Sequence, residues 1–329
     1  MRKCLYQTRG YVMFEAVGLF VLGLALLALG GDSVVKGAAG LARHFGASPF
    51  VAGLVLVAFA TSLPEIAVNL HAIVRGQQAL ALGNAVGSNI ANFGLTLGAA
   101  ALAAPILVRW RALNLMLLVL IAGTVAVIVM GLDGVLSRME GVVLLLAFVA
   151  TIAYAMLRSP HETPELQEEI AGFARTGTDL GLNLLRFVIA AALLYFGSRL
   201  VVVNAPIMGA AMGMTMLLTG LIPVAIGTAL PEVAAAVFAA RRGQGDMVIG
   251  HVIGSSVFNL LVIIGGMAAF NALPLPASFV WFELPAALVL TLMLVPMVRG
   301  DLSISRREGG VLLAAFVVWL VLELLFLNT

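Results

Sequence analysis

Charge is scarce in this chain: 10% of its 329 residues are Asp, Glu, Lys or Arg, against about 25% in an ordinary soluble domain. A water-soluble globule of that length must expose far more solvated surface, so a soluble enzyme is excluded first. Cys4 is the only cysteine, and no internal disulfide can form. Strong net charge is missing too. The formal value is +2, there is no basic stripe, and no nucleic-acid partner is expected. The low hydrophobicity of disordered chains is also absent: 62% of residues are hydrophobic and mean hydropathy is +1.12.

The apolar residues come in long runs. A bilayer-spanning helix needs about 20 mostly apolar residues. Ten such runs are read, near 14–41, 50–74, 79–104, 112–131, 140–157, 180–208, 217–240, 246–271, 279–297 and 309–327. The expectation is an all-α integral membrane protein with ten transmembrane helices. Met1 to Tyr11 is polar and basic, like the n-region of a signal peptide. No cleavage site followed by a soluble domain appears, so a retained first helix is expected, with translation starting at Met1 or Met13. The breaks between runs are short and hold most of the charge. The one longer polar segment, 158–179, contains Glu162, Glu165, Glu168 and Glu169 and reads as a solvated loop.

The chain repeats itself. Thr61-Ser62-Leu63-Pro64-Glu65 recurs as Thr228-Ala229-Leu230-Pro231-Glu232, an offset of 167 residues. Gly83, Gly87, Ser88 and Asn92 recur as Gly250, Gly254, Ser255 and Asn259 at the same offset. So do Gly30 as Gly197, Gly53 as Gly220, and Arg75-Gly76-Gln77 as Arg242-Gly243-Gln244. Residues 1–157 are therefore expected to form a first five-helix repeat with its motif at 53–98, and 180–329 a second with its motif at 220–265. Five is odd, so the second repeat enters the membrane inverted, as in secondary transporters. Twelve Lys and Arg lie on the side of the 1–2, 3–4, 5–6, 7–8 and 9–10 connections, and six on the other. The positive-inside rule then places the 158–179 loop in the cytoplasm and both termini outside, in the cytoplasmic or inner membrane of the cell.

Two carboxylates, Glu65 and Glu232, fall near span centres, where each costs about 2.5–3.5 kcal/mol on insertion scales. Neither has a basic neighbour in its own helix, and a bound cation is the simplest compensation. Thr61 and Glu65 are four apart and share a helix face, as do Thr228 with Glu232, Ser88 with Asn92, and Ser255 with Asn259. These faces offer hard oxygen donors and are read as free of Cys and His, which suits calcium or sodium rather than zinc, copper or iron. Pro64 and Pro231 remove an N–H each and are expected to free main-chain carbonyls over 57–60 and 224–227. Taken singly, each feature has a bland reading: a kink, a hydroxyl bonded to its own helix, an Asn gluing helices together. Duplication of the whole set favours function. The four repeated glycines read as close helix packing, with helix ends as the alternative.

Gly53 to Gly98, with Ala-Thr-Ser-Leu-Pro-Glu and Gly-Asn-Ala-Val-Gly-Ser-Asn-Ile-Ala-Asn, resembles the first alpha-repeat of the calcium/cation antiporter superfamily. Gly220 to Gly265 resembles the second, and prokaryotic sodium/calcium exchangers are the branch most similar. The resemblance implies that Glu65 and Glu232 are central calcium ligands assisted by Thr61 and Thr228. It implies that Ser62, Ser88 and Ser255 line sodium sites, that the Ala58 and Ala225 carbonyls coordinate, and that Asn92 and Asn259 sit between the two Glu. Three positions depart from the pattern. Ala229 replaces a common Ser, Asn259 stands where some members have Asp, and His251 replaces the Asn that Asn84 keeps in the first repeat. His251 reads as structural, with a proton-linked role as the alternative.

The expected function is a secondary antiporter exchanging calcium for sodium by alternating access, with helices one and six sliding across an eight-helix core. Calcium and sodium ions and the lipid bilayer are the expected partners, with no cofactor and no obligate protein partner. Proton/calcium exchange is the alternative. An intramembrane metal-dependent enzyme would want clustered Asp, and an aspartyl protease two Asp; neither is present. A passive channel fits less well, because buried carboxylates within an inverted repeat favour a carrier.

Overall fold

The computed structural model describes residues 2–45, 62–108, 112–158, 177, 179–299 and 302–326. Ten helical segments run through them: α1 (Arg2–His44), α2 (Leu63–Val74), α3 (Gln78–Ala103), α4 (Ala112–Met130), α5 (Arg138–Arg158), α6 (Leu180–Ala211), α7 (Met216–Arg241), α8 (Gly245–Phe270), α9 (Phe279–Met297) and α10 (Arg306–Phe326). Eight of them are long and apolar enough to cross a membrane. Helices dominate because a chain in lipid must satisfy its own backbone polar groups. Nine of the runs read from the sequence overlap these segments along most of their length, with α1 beginning at Arg2 rather than near residue 14; of the run 50–74 only Leu63–Val74 is seen as helix, and 50–61 lie outside the described residues. The calls on 158–179 fall almost wholly outside the described residues.

α3 and α8 form the centre: 83% and 89% of their most apolar windows are buried. The lipid-facing shell carries large exposed apolar side chains such as Leu118, Val129, Leu146, Val149 and Phe238. α1 and α6 lie antiparallel along each other, and their main further contacts are to α2 and α7. Gly23 and Gly197 allow this closeness, since a Cβ on either would stand 2.9 Å from the other's carbonyl oxygen. α3 crosses α7 closely as well. A Cβ on Gly83 would strike the Leu217 carbonyl, and one on Gly87 the Leu221 carbonyl. All four repeated glycines lie inside helices, and Gly83 and Gly87 serve packing.

The duplication is visible in the connections. α2 and α7 both end in a Schellman motif. Gln77 N–H donates to Ala72 O at 2.8 Å and Gly76 N–H to Ile73 O at 2.9 Å. Gln244 and Gly243 repeat this with Ala239 and Ala240, both at 3.0 Å. Gly76 and Gly243 take φ of +72° and +75°, the left-handed region that glycine occupies without penalty. α5 and α10 start with capping boxes, Ser137 with Glu140 and Ser305 with Glu308. This second pair is spaced by 168, so the repeat continues beyond α3 and α8 with one residue inserted. Two-residue strands also pair across the repeats: β1 (Ile106–Leu107) with β4 (Ser303–Ile304), and β2 (Val135–Leu136) with β3 (Leu273–Pro274), both antiparallel. They satisfy connector backbone that helices leave unpaired.

Candidate cation site

The polar residues of α3 and α8 meet where the two helices cross. Asn92 Nδ2 donates to Ser256 Oγ at 3.4 Å, and Asn259 Nδ2 donates to Asn89 Oδ1 at 3.2 Å. Asn89 and Ser256 are themselves repeat counterparts, so these two bonds are images of each other about the pseudo-twofold axis. Asn89 Nδ2 also donates to the Ser256 carbonyl at 3.2 Å. Neither Asn89 nor Ser256 was singled out in the sequence, although each directly follows a repeated Ser. A π-helical turn opens at each motif Asn, over Asn92–Leu97 and Asn259–Ile264. Such turns widen a helix locally and are frequent at functional sites.

α2 and α7 bring the carboxylates to this crossing. Glu65 is 1% exposed and Glu232 9%, and the two carboxyl groups lie close enough to act on each other directly. Ser62 Oγ donates to Ser255 Oγ at 2.9 Å, joining the start of α2 to the middle of α8. Ser88 is also buried. Around this crossing, five buried oxygens have no hydrogen-bond partner among the described residues: Glu65 Oε2, Ser88 Oγ, Asn92 Oδ1, Glu232 Oε1 and Asn259 Oδ1. Burying such groups uncompensated is costly. Thr61 and Ala58, and the backbone at 57–60, lie outside the described residues.

Two expectations need correction. α7 stays α-helical from Ala225 to Arg241, straight across Pro231. The irregular backbone lies one turn earlier, a π turn over Gly220–Val224 that contains Pro223. Thr228 Oγ1 donates to the Val224 and Ala225 carbonyls at 3.1 and 3.2 Å. Its own hydroxyl thus caps the backbone there, including the Ala225 oxygen. The second correction concerns histidine. His251 stands one helical turn before Ser255 on α8, and its Nε2 lies 3.2 Å from Glu232 Oε2. The oxygen faces therefore include an imidazole.

A cavity of about 410 Å³ leads to Glu232. Asp32 of α1, Pro64 of α2, Thr228 and Ala239 of α7, and Met247 and His251 of α8 are among its lining residues. Asp32 pairs with Lys36 at 2.6 Å. A second groove, between α2 and α6, is lined by residues including Ala67, His71, Arg75, Ser198 and Arg199, and Glu65 is not among its described lining residues. Two more carboxylates, Glu283 of α9 and Glu323 of α10, are buried near each other and do not line the first cavity.

The sodium/calcium exchanger protein family matches residues 15–157 and 182–325, one segment in each repeat. The chain belongs to the sodium/calcium exchanger family. Three similar proteins are matched over nearly their whole length. The inner membrane protein YrbG of Escherichia coli is 34% identical, the alignment covering 94% of this chain and 97% of that one. The sodium/calcium exchanger MaX1 of Methanosarcina acetivorans is 28% identical over 92% and 97%. A solved structure of the sodium-calcium exchanger NCX_Mj, soaked with sodium and strontium, superposes with a TM-score of 0.67 at 30% identity, covering 94% of this chain and 99% of that one. The ten helices are the inverted five-plus-five repeat of this family. The protein is a multi-pass integral membrane transporter and not an enzyme.

Proposed function

We propose that this exchanger moves calcium against sodium, with Glu65 and Glu232 as the central ligands. The observation that carries the reading is the pair of buried carboxylates from opposite repeats, set among oxygens that have no hydrogen-bond partner among the described residues. A divalent cation offsets both charges at once. Ser62, Ser88, Thr228, Ser255, Asn92 and Asn259 supply neutral oxygen beside them, which a sodium ion would use and a proton would not need. The Ala225 carbonyl would coordinate once the Thr228 hydroxyl that now bonds it turns to the ion. Thr61 and Ala58 complete the set by their place in the repeat.

Alternating access fits the asymmetry of the two grooves. The open one runs toward the α7–α8 connection, the side that the charge bias assigns to the cytoplasm along with the 158–179 loop. In this arrangement the site faces inward, and the termini lie outside. Sliding of the α1–α6 pair over α2 and α7 would close one groove and open its counterpart. Exposing two uncompensated carboxylates to lipid-facing protein during that movement is costly, which enforces exchange over leak.

A second reading has one specific observation behind it. His251 beside Glu232 adds a proton-carrying group to the site, so protons could replace sodium as the counter-ion. Uptake of ⁴⁵Ca²⁺ into proteoliposomes separates the two. Sodium-loaded vesicles at constant pH should accumulate calcium, and a pH gradient in sodium-free, potassium-matched buffer should not. The opposite pattern would assign the exchange to protons.

A further inference from the structure

His251 departs from the repeat together with its neighbour. In the first repeat the counterpart Asn84 is held elsewhere: its Nδ2 donates to Asn69 Oδ1 at 2.8 Å, both side chains fully buried. In the second repeat the place of Asn69 is taken by Ala236, which has no side-chain acceptor. The change at one position is matched at the other. The imidazole turns instead to Glu232, and both groups line the cavity that leads to the site.

We infer that His251 is a metal ligand, and that this cation site accepts first-row divalent ions of the manganese class through its imidazole nitrogen. The inference rests on the reading of Glu65 and Glu232 as the cation site. Two donors about 2.2 Å from one metal ion and at right angles to each other stand about 3.1 Å apart. The observed 3.2 Å between Nε2 and Oε2 is that separation, so an ion can bridge them with little movement of either side chain. A ring that binds an ion through Nε2 would carry its one proton on Nδ1. Calcium favours oxygen ligands, whereas imidazole nitrogen favours first-row transition ions. Among the described residues no group of three His, Cys, Asp or Glu is placed to hold a metal ion together; His251 and Glu232 contact as a pair, and the remaining donors are neutral oxygens, so this is not a zinc centre of the closed kind. One nitrogen among hydroxyl, amide and carboxylate oxygens suits manganese.

The test is pulsed electron paramagnetic resonance on the full chain, purified with a histidine-free tag and loaded with Mn²⁺. Calcium-displaceable Mn²⁺ should show electron spin-echo modulation from a directly coordinated ¹⁴N. In His251→Asn, which restores the residue of the first repeat, the modulation should vanish while calcium-displaceable binding remains. Mn²⁺ affinity relative to Ca²⁺ should fall at least about tenfold, the loss that even an outer-shell partner of a metal produces. Calcium-displaceable Mn²⁺ without nitrogen coupling in the unmodified chain would overturn the inference and leave the Glu pair standing. Mn²⁺ that calcium fails to displace, with Glu232→Gln binding as the unmodified chain does, would overturn the site reading and this inference with it.

Discussion

Replacing either central carboxylate by its amide gives the sharpest test of the cation site. Glu65→Gln and Glu232→Gln keep side-chain shape and remove one charge. Two unit charges about 4 Å apart interact by about 4 kcal/mol at an effective dielectric constant near 20, and a divalent ion doubles that to about 8 kcal/mol. If desolvating the carboxylate offsets half, about 4 kcal/mol remains, which is a loss of about 1,000-fold in calcium affinity. Calorimetric titration of purified protein would read the loss, and ⁴⁵Ca²⁺ exchange should stop. Folding should not suffer, because a neutral amide avoids the cost of a buried charge. The calcium-free melting temperature should hold or rise, and only the unmodified protein should gain stability from calcium. The two variants differ in what remains. Glu65→Gln leaves Glu232 beside His251, whereas Glu232→Gln leaves Glu65, 1% exposed, with no such neighbour. Near-normal calcium exchange by either variant, in protein that melts normally, would refute the two-carboxylate site.

Ala229→Ser should place a hydroxyl where the repeat puts Ser62, able to bond Ser88 as Ser62 bonds Ser255; a gain of about 1 kcal/mol in thermal stability and tighter apparent sodium affinity are expected, and unchanged sodium dependence would show that this position is already satisfied. Gly83→Ala should destabilise the protein by about 1–3 kcal/mol through overpacking against the Leu217 backbone, read as a lower melting temperature in detergent; a neutral effect would mean that the α3–α7 crossing is looser than described. Ser305→Ala removes the cap of α10 and should cost about 1 kcal/mol, with transport unaffected at temperatures well below melting. Thr228→Ala should weaken calcium or sodium binding less than either Glu variant, because its hydroxyl already donates to its own helix; a loss as large as that of Glu232→Gln would make it a principal ligand.

The order of the helices and the duplication were legible in the sequence because they are local or periodic. A run of apolar residues reports a helix in lipid without reference to any neighbour. A constant offset between Glu65 and Glu232, or between Asn92 and Asn259, reports two copies of one unit. Positions four apart report a shared face. None of these signals says which groups on that face touch a partner from another helix. Ser62 and Thr228 look alike as hydroxyls near a motif Glu, yet one bonds across the repeats to Ser255 and the other bonds its own backbone. Asn92 and Asn259 read as sitting between the two Glu, but that their amide nitrogens bond Ser256 and Asn89 while each Oδ1 stays unpartnered among the described residues is not a sequence signal.

Tertiary structure decided the rest. Asn89 and Ser256 gained their role from the crossing of α3 and α8, a contact between residues 167 apart. The π turns at Asn92 and Asn259 appear in the folded core and are not read from the residue types alone. His251 was read as lying off the oxygen faces, because a helix face is a broad sector and only the position of α7 brings Glu232 within 3.2 Å of the ring. That Glu232 lines one groove while Glu65 is not among the described lining residues of the groove between α2 and α6 could not be read from a nearly symmetric sequence. Sequence determines what each helix buries and what it can donate. Which donors converge, and from which side an ion can reach them, is set by how ten helices pack, and packing depends on contacts that no local pattern encodes.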